Sequence, residues 1–95
     1  MLSRKTLREF WEQHPDAEQP LRAWHAEVEK ASWSCPNDIK ARYASASFVG
    51  GDRVVFNIAG NKYRLIVAVK YAPKLVFIRF VGTHREYDDV DAENV

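Results

Sequence analysis

The segment Gly82-Thr-His-Arg-Glu-Tyr-Asp88 sets His84 and Tyr87 three residues apart, downstream of Arg64 and Arg79 on runs that read as strands. Histidine exchanges protons near neutral pH. Tyrosine can stack on a base or donate a proton. Arginine meets phosphate oxygens through paired hydrogen bonds. Such a set could cleave RNA without a metal. The reaction needs a base for the 2′-hydroxyl, cations for the crowded phosphorane and an acid for the leaving oxygen. The combination is a loose signature, and a lone histidine beside a strand end is more often a structural residue.

The elements that must position these residues lie mostly in the second half of the chain. Ala46 to Val49 reads as a short extended piece before a Gly50-Gly51-Asp52 turn. Arg53 to Ile58 alternates, as does Tyr63 to Tyr71, and the two are joined at Gly60-Asn61, a two-residue hairpin signal. Ala72-Pro73-Lys74 turns the chain into a last strand, Leu75 to Thr83. Short turns between consecutive strands predict an antiparallel meander.

Turn length sets register. With Gly60-Asn61 as one loop and Pro73-Lys74 as the other, one face carries Val54, Phe56, Ile58, Tyr63, Leu65, Val67, Val69, Val76, Ile78 and Phe80, all apolar. The opposite face is expected to carry Arg53 and Arg79 flanking Ala68 in one row, and Asn57 and Thr83 flanking Arg64 in another. These strands supply no carboxylate to that face. Like charges set this close repel, and an anion would relieve them. A solvated basic face, salt-bridged to the acidic segment Glu86–Glu93, is the plainer alternative.

The net charge of +1 hides a steep internal gradient. Residues 1–39 sum to −2, residues 40–85 to +8 with Asp52 the lone acid, and residues 86–95 to −5. A basic middle attracts polyanions. Residues 3–14 have the apolar spacing of an amphipathic helix through Leu7, Phe10, Trp11 and His14, ended by Pro15. Asp16 and Gln19 suggest a capping box for a second helix with Leu21, Trp24, Val28 and Ala31 inside and His25 at the edge. Pro36 opens a short third helix reaching Tyr43. No apolar run suits a membrane span, and the charged start lacks the apolar core of a signal peptide. Cys35 is the lone cysteine, and neither the histidines nor the acids are spaced as metal ligands. A cytoplasmic protein without metal or other cofactor is expected.

The runs VVFNIAGNKYRLIVAVKY (54–71) and VFIRFVGTHREYDDVDA (76–92), with HPDAEQPLRAW and SCPNDIKARY before them, resemble the HigB-type toxins of bacterial type II toxin–antitoxin systems, in the RelE-like superfamily. The resemblance covers nearly the whole chain and is densest in FNIAGNKYRL and FIRFVGTHREYD. It implies an α+β fold, with two to three N-terminal helices packed on one face of a small antiparallel β-sheet. The expected organisation is a single domain over 1–95, with 1–44 mainly helical, 45–84 antiparallel sheet and 85–95 an acidic tail. It implies an mRNA interferase acting on the ribosome by 2′-hydroxyl attack, paired with a HigA-type helix-turn-helix antitoxin.

On this resemblance His84 is the candidate proton-transfer residue, assisted by Tyr87, while Arg64 and Arg79 hold the scissile phosphate. RelE-like nucleases vary in their acid–base residues, so the identity of the base stays open. Arg53, Asn57, Asn61, Lys62 and Lys70 are the candidate RNA contacts, Asn61 being equally readable as turn chemistry. A non-catalytic RNA- or ribosome-binding protein would use the same face. So would a protein whose basic face only docks an acidic antitoxin segment.

Overall fold

A computed structural model describes residues 4–50, 52–60, 62–71, 75–92 and 95. Asn61, Lys74 and the Pro73-Lys74 turn lie outside the described residues. The element order is α1 (Lys5–Gln13), a 3₁₀ turn (Pro15–Ala17), α2 (Glu18–Lys30), α3 (Pro36–Arg42), β1 (Ser47–Val49), β2 (Arg53–Ile58), β3 (Tyr63–Lys70), β4 (Leu75–Thr83) and α4 (His84–Asp88). The strands form one antiparallel sheet in the order β1-β2-β3-β4. This is the expected α+β arrangement, with two additions: β1 pairs fully as an edge strand, and the start of the expected tail is a helix.

The helices form because their apolar residues recur on one side. Leu7 and Trp11 of α1, Leu21, Trp24 and Val28 of α2 and Ile39 of α3 are all buried against the inner face of the sheet. Pro15 stops α1, and Pro36 starts α3. The capping box expected at Asp16 does not form: Ala17 precedes α2 without a side-chain cap. The Asp16 carboxylate instead accepts from the Tyr63 hydroxyl at 2.5 Å and from Lys62 Nζ at 2.7 Å. Those bonds fasten the helical layer to the start of β3, and they hold the Asp16 carboxyl below the usual range, Lys62 contributing most.

The β2–β3 register is as expected, with Arg53 opposite Ala68 and Asn57 opposite Arg64. The β3–β4 register is not. Lys70 pairs with Leu75, so the connection spans residues 71–74 and is longer than a two-residue turn. That change shifts the pairing by two and leaves Val76 and Ile78 on the inner face. A β-bulge then intervenes, since Val67 pairs with Ile78 but Ile66 pairs with Phe80. The extra residue is Arg79. Beyond it the alternation is reversed: Val81 joins the core and Phe80 goes to the outer face. Phe77, not Arg79, therefore stands opposite Ala68, and Gly82, not Thr83, opposite Arg64.

His25 is buried at 5% exposure rather than placed at the edge of its helix. Its Nδ1 lies 3.4 Å from Glu29 Oε1, its Nε2 has no hydrogen-bond partner, and Arg4 is the nearby cation. Burial is the main cause of a lowered pKa, opposed by Glu29 and aided by Arg4. The unfolded chain thus takes up this proton at higher pH than the folded one. Stability contributed here is complete above about pH 6.5 and drains as pH falls toward the lower folded value. His25→Phe is expected to flatten the chemical-denaturation midpoint between about pH 7 and pH 5; a slope equal to that of the parent would contradict this assignment.

Candidate active site

The site is assembled where β3, β4 and α4 meet. Thr83 closes β4 and caps α4: its Oγ1 accepts from the Glu86 amide at 3.1 Å, and Glu86 Oε1 accepts from the Thr83 amide at 2.8 Å. This reciprocal capping box matters because a five-residue helix has little stability of its own. The first amide of α4, that of His84, donates to the Lys62 carbonyl at 3.3 Å, tying the helix to the β2–β3 turn. His84 and Tyr87 are thereby fixed at the end of the outer face, close to Arg64.

Arg64 is the centre of the group. Its Nη2 lies 2.8 Å from His84 Nε2, and its guanidinium carbon stands 5.4 Å from the centre of the Tyr87 ring. A guanidinium only donates, so Nε2 must be the accepting, unprotonated nitrogen. The imidazole is then the neutral tautomer with its proton on Nδ1, the side on which Asp88 Oδ2 lies at 3.9 Å. Arg64 Nε and the Oδ1 of its cross-strand neighbour Asn57 are both buried without a hydrogen-bond partner. An unprotonated imidazole nitrogen beside a guanidinium and an aromatic ring can pair proton abstraction with anion binding.

Gly82 leaves room beside this group for the Phe80 ring and the capping box. It lies opposite Arg64 and is buried; a Cβ there would sit 2.6 Å from Phe80 Cζ and 2.9 Å from Glu86 Oε1. Gly82→Ala must therefore push the Phe80 ring aside or break the capping box. A loss of about 1–3 kcal/mol is expected, accompanied by shifted His84 and Tyr87 NMR signals. Adding Phe80→Leu to the variant should recover part of that loss. Unshifted signals in Gly82→Ala would mean that the cap has room to spare.

The remaining candidates divide differently from expectation. Arg53 is not free: it bonds the Asp52 carboxylate at 2.6 Å and the Val95 carbonyl at 2.8 and 3.1 Å. Lys70 pairs with the same Asp52, and Lys62 pairs with Asp16. The Asp52 carboxyl is held below its ordinary pKa, chiefly by Lys70. Sequence reasoning counted Asp52 as a turn residue and missed that it neutralises two cations of this face. The outer face is also less bare than expected, since Val55, Ile66 and Ala68 are buried on it. The Arg53–Val95 bonds place Val95 at the start of β2.

The arginines thus stand in separate places. Arg53 shares a row with Ala68, four residues along β3 from Arg64, or roughly 13 Å at about 3.3 Å per residue. Arg79 projects from the bulge, with its guanidinium carbon 5.7 Å over the Phe77 ring. The expected convergence of Arg53, Arg64 and Arg79 is replaced by an Arg64–His84–Tyr87 group and two outlying arginines.

Comparison with known proteins agrees with this architecture. The family described as HigB_toxin, RelE-like toxic component of a toxin-antitoxin system, matches residues 17–90. The chain is similar to the mRNA interferase toxin HigB of Escherichia coli K12, at 31% identity over 90 residues, covering 93% of this chain and 86% of the relative. The same identity and coverage hold for the mRNA interferase HigB of Escherichia coli O157:H7 and that of Shigella flexneri.

Proposed function

The chain belongs to the HigB family of RelE-like toxins, and from that premise we propose that it is an mRNA endoribonuclease whose reacting centre is Arg64, His84 and Tyr87. The observation that carries the proposal is the 2.8 Å contact between Arg64 Nη2 and His84 Nε2. It sets the His84 Nε2 nitrogen directly beside an anion-binding group.

In the free protein Arg64 occupies the lone pair of Nε2. An incoming phosphodiester, as the stronger acceptor, draws the guanidinium to its own oxygens and frees Nε2. Nε2 then takes the proton of the neighbouring 2′-hydroxyl as the oxygen attacks phosphorus. Arg64 stabilises the charge that builds on the equatorial oxygens. The bond to the 5′-oxygen breaks, Tyr87 supplies or relays the proton to it, and the products carry a cyclic phosphate and a 5′-hydroxyl. Asp88 steadies the Nδ1 side of the imidazole as charge develops.

Lys62, Lys70 and Arg53 exchange their carboxylate partners for phosphates of the RNA or of the ribosome. The Lys62–Asp16 pair is well exposed, so that exchange costs little. Asn57 offers its unpartnered amide oxygen beside Arg64. The protein acts in the cytoplasm on translating ribosomes and is held in check by a helix-turn-helix antitoxin.

The test is a purified translation system programmed with a defined mRNA. Addition of the protein should produce new 5′-hydroxyl ends within the reading frame, and only when ribosomes translate the message. Translation that stops while the mRNA stays whole would assign the protein to RNA or ribosome binding without catalysis.

A further inference from the structure

Phe77 and Arg79 stand together on the outer face, away from the reacting group. The bulge gives β4 one residue more than β3 across this stretch, and that residue, Arg79, is aimed out of the ladder. Its side chain is exposed, lies over the half-buried Phe77 ring, and has no carboxylate partner among the described residues. Arg53, Lys62 and Lys70, by contrast, each have one. An exposed cation over an aromatic ring adds little to stability, so packing alone does not account for the pair.

Arg79 stacks on Phe77, whereas Arg64 meets His84 and Tyr87. Gly82 marks the Arg64 row and Phe77 the Ala68 row, so Phe77, whose ring the Arg79 guanidinium covers, stands roughly 13 Å along the sheet from the Arg64 row at about 3.3 Å per residue. That distance suits a neighbouring nucleotide of the same strand. A guanidinium plane backed by an aromatic ring accepts a nucleobase by stacking, while its nitrogen edge bonds a phosphate. Stacking tolerates any base, because every base has a π-face.

We propose that Phe77 and Arg79 form a base-stacking subsite for a nucleotide flanking the scissile one, so that Arg79 grips the RNA strand rather than the reacting phosphate. The subsite rests on the reading of this face as an RNA-binding one, but it does not require cleavage to occur there.

The test uses the full chain and a short RNA that is 2′-O-methylated throughout, so that it cannot be cut, and carries 5-iodouridine at each uridine. Near-ultraviolet cross-linking followed by peptide mass spectrometry should recover Phe77. Phe77→Leu should abolish that cross-link, and both Phe77→Leu and Arg79→Ala should weaken binding by about tenfold, with Arg79→Lys intermediate and thermal melting unchanged. Exchanging one base for another should alter affinity far less than an abasic nucleotide does at the stacked position. Cross-links confined to other segments, or unaltered affinity in Arg79→Ala, would overturn the subsite. Cleavage by the parent protein on translated mRNA is scored in parallel. A parent that cuts while Arg79→Ala binds normally sinks the subsite and leaves the nuclease reading intact. A parent that never cuts, yet cross-links through Phe77 and depends on Arg79 for affinity, sinks the nuclease reading and keeps the subsite.

Discussion

His84→Ala is expected to lower the cleavage rate at saturating mRNA by about 10²–10⁴-fold, the span lost with a general acid–base group, and to abolish growth arrest on expression. Arg64→Ala should cost about 10²–10³-fold, as expected for one group that stabilises transition-state charge. The two losses should not multiply. Arg64 contacts His84 Nε2 directly, so removing either disorganises the other, and the double variant should be little slower than the worse single one. Arg64→Lys should recover little, because an ammonium lacks the planar fork that spans phosphate oxygens and stacks on Tyr87. The His84 side chain is about half exposed, so its replacement should leave the melting temperature near that of the parent. A folded His84→Ala protein cutting at the parent rate would remove His84 from the reaction and transfer the proton to another group.

The sequence made the β2–β3 hairpin legible because each side of it alternates cleanly and its turn is short. Asn57 opposite Arg64 follows from nothing more. It made the β3–β4 pairing only half legible. Val76 and Ile78 stay inside because the longer connection moves the pairing by an even number of residues. Phe80 moves outside because the bulge adds an odd one. Phe77, Ile78, Phe80 and Val81 are all apolar, so no alternation of polar and apolar residues marks where the reversal falls. The helix α4 had a readable signal: Thr83-His-Arg-Glu86 has the spacing of a capping box. The run of acids after it drew the reading toward a solvated tail. A similar spacing at Asp16 and Gln19 suggested a cap that does not form, because Tyr63 and Lys62 compete for the Asp16 carboxylate. Local spacing cannot reveal a partner that arrives from 46 residues away. The same limit hid Asp52, adjacent in sequence to Arg53 but serving Lys70 as well.

Phe56→Ala is the substitution expected to cost the most stability. Phe56 is 1% exposed, and its ring meets Trp24 of α2 at 5.4 Å, Tyr43 at the end of α3 at 5.0 Å, and Trp33 between those helices at 6.2 Å. It therefore joins the helical layer to the sheet at three places. Truncating a buried phenylalanine costs about 3–5 kcal/mol, and each lost edge-to-face pair adds to the area term. A chain of this length has roughly 5–14 kcal/mol in all. The melting temperature should fall by on the order of 20 °C, given about 4–8 °C per kcal/mol at this size. Phe56→Leu, which keeps most of the volume, should cost under about 1.5 kcal/mol. The consequence for the site is indirect. Asn57 follows Phe56 and points to the outer face beside Arg64, so β2 carries core and site on alternate residues. The fraction of Phe56→Ala that remains folded in the cold should still hold Arg64 against His84 and cut RNA at the parent rate per folded molecule. A melting temperature within a few degrees of the parent would mean that the three rings do not depend on Phe56. A slow cut by fully folded protein would mean that the inner packing sets the outer geometry more tightly than one shared strand implies.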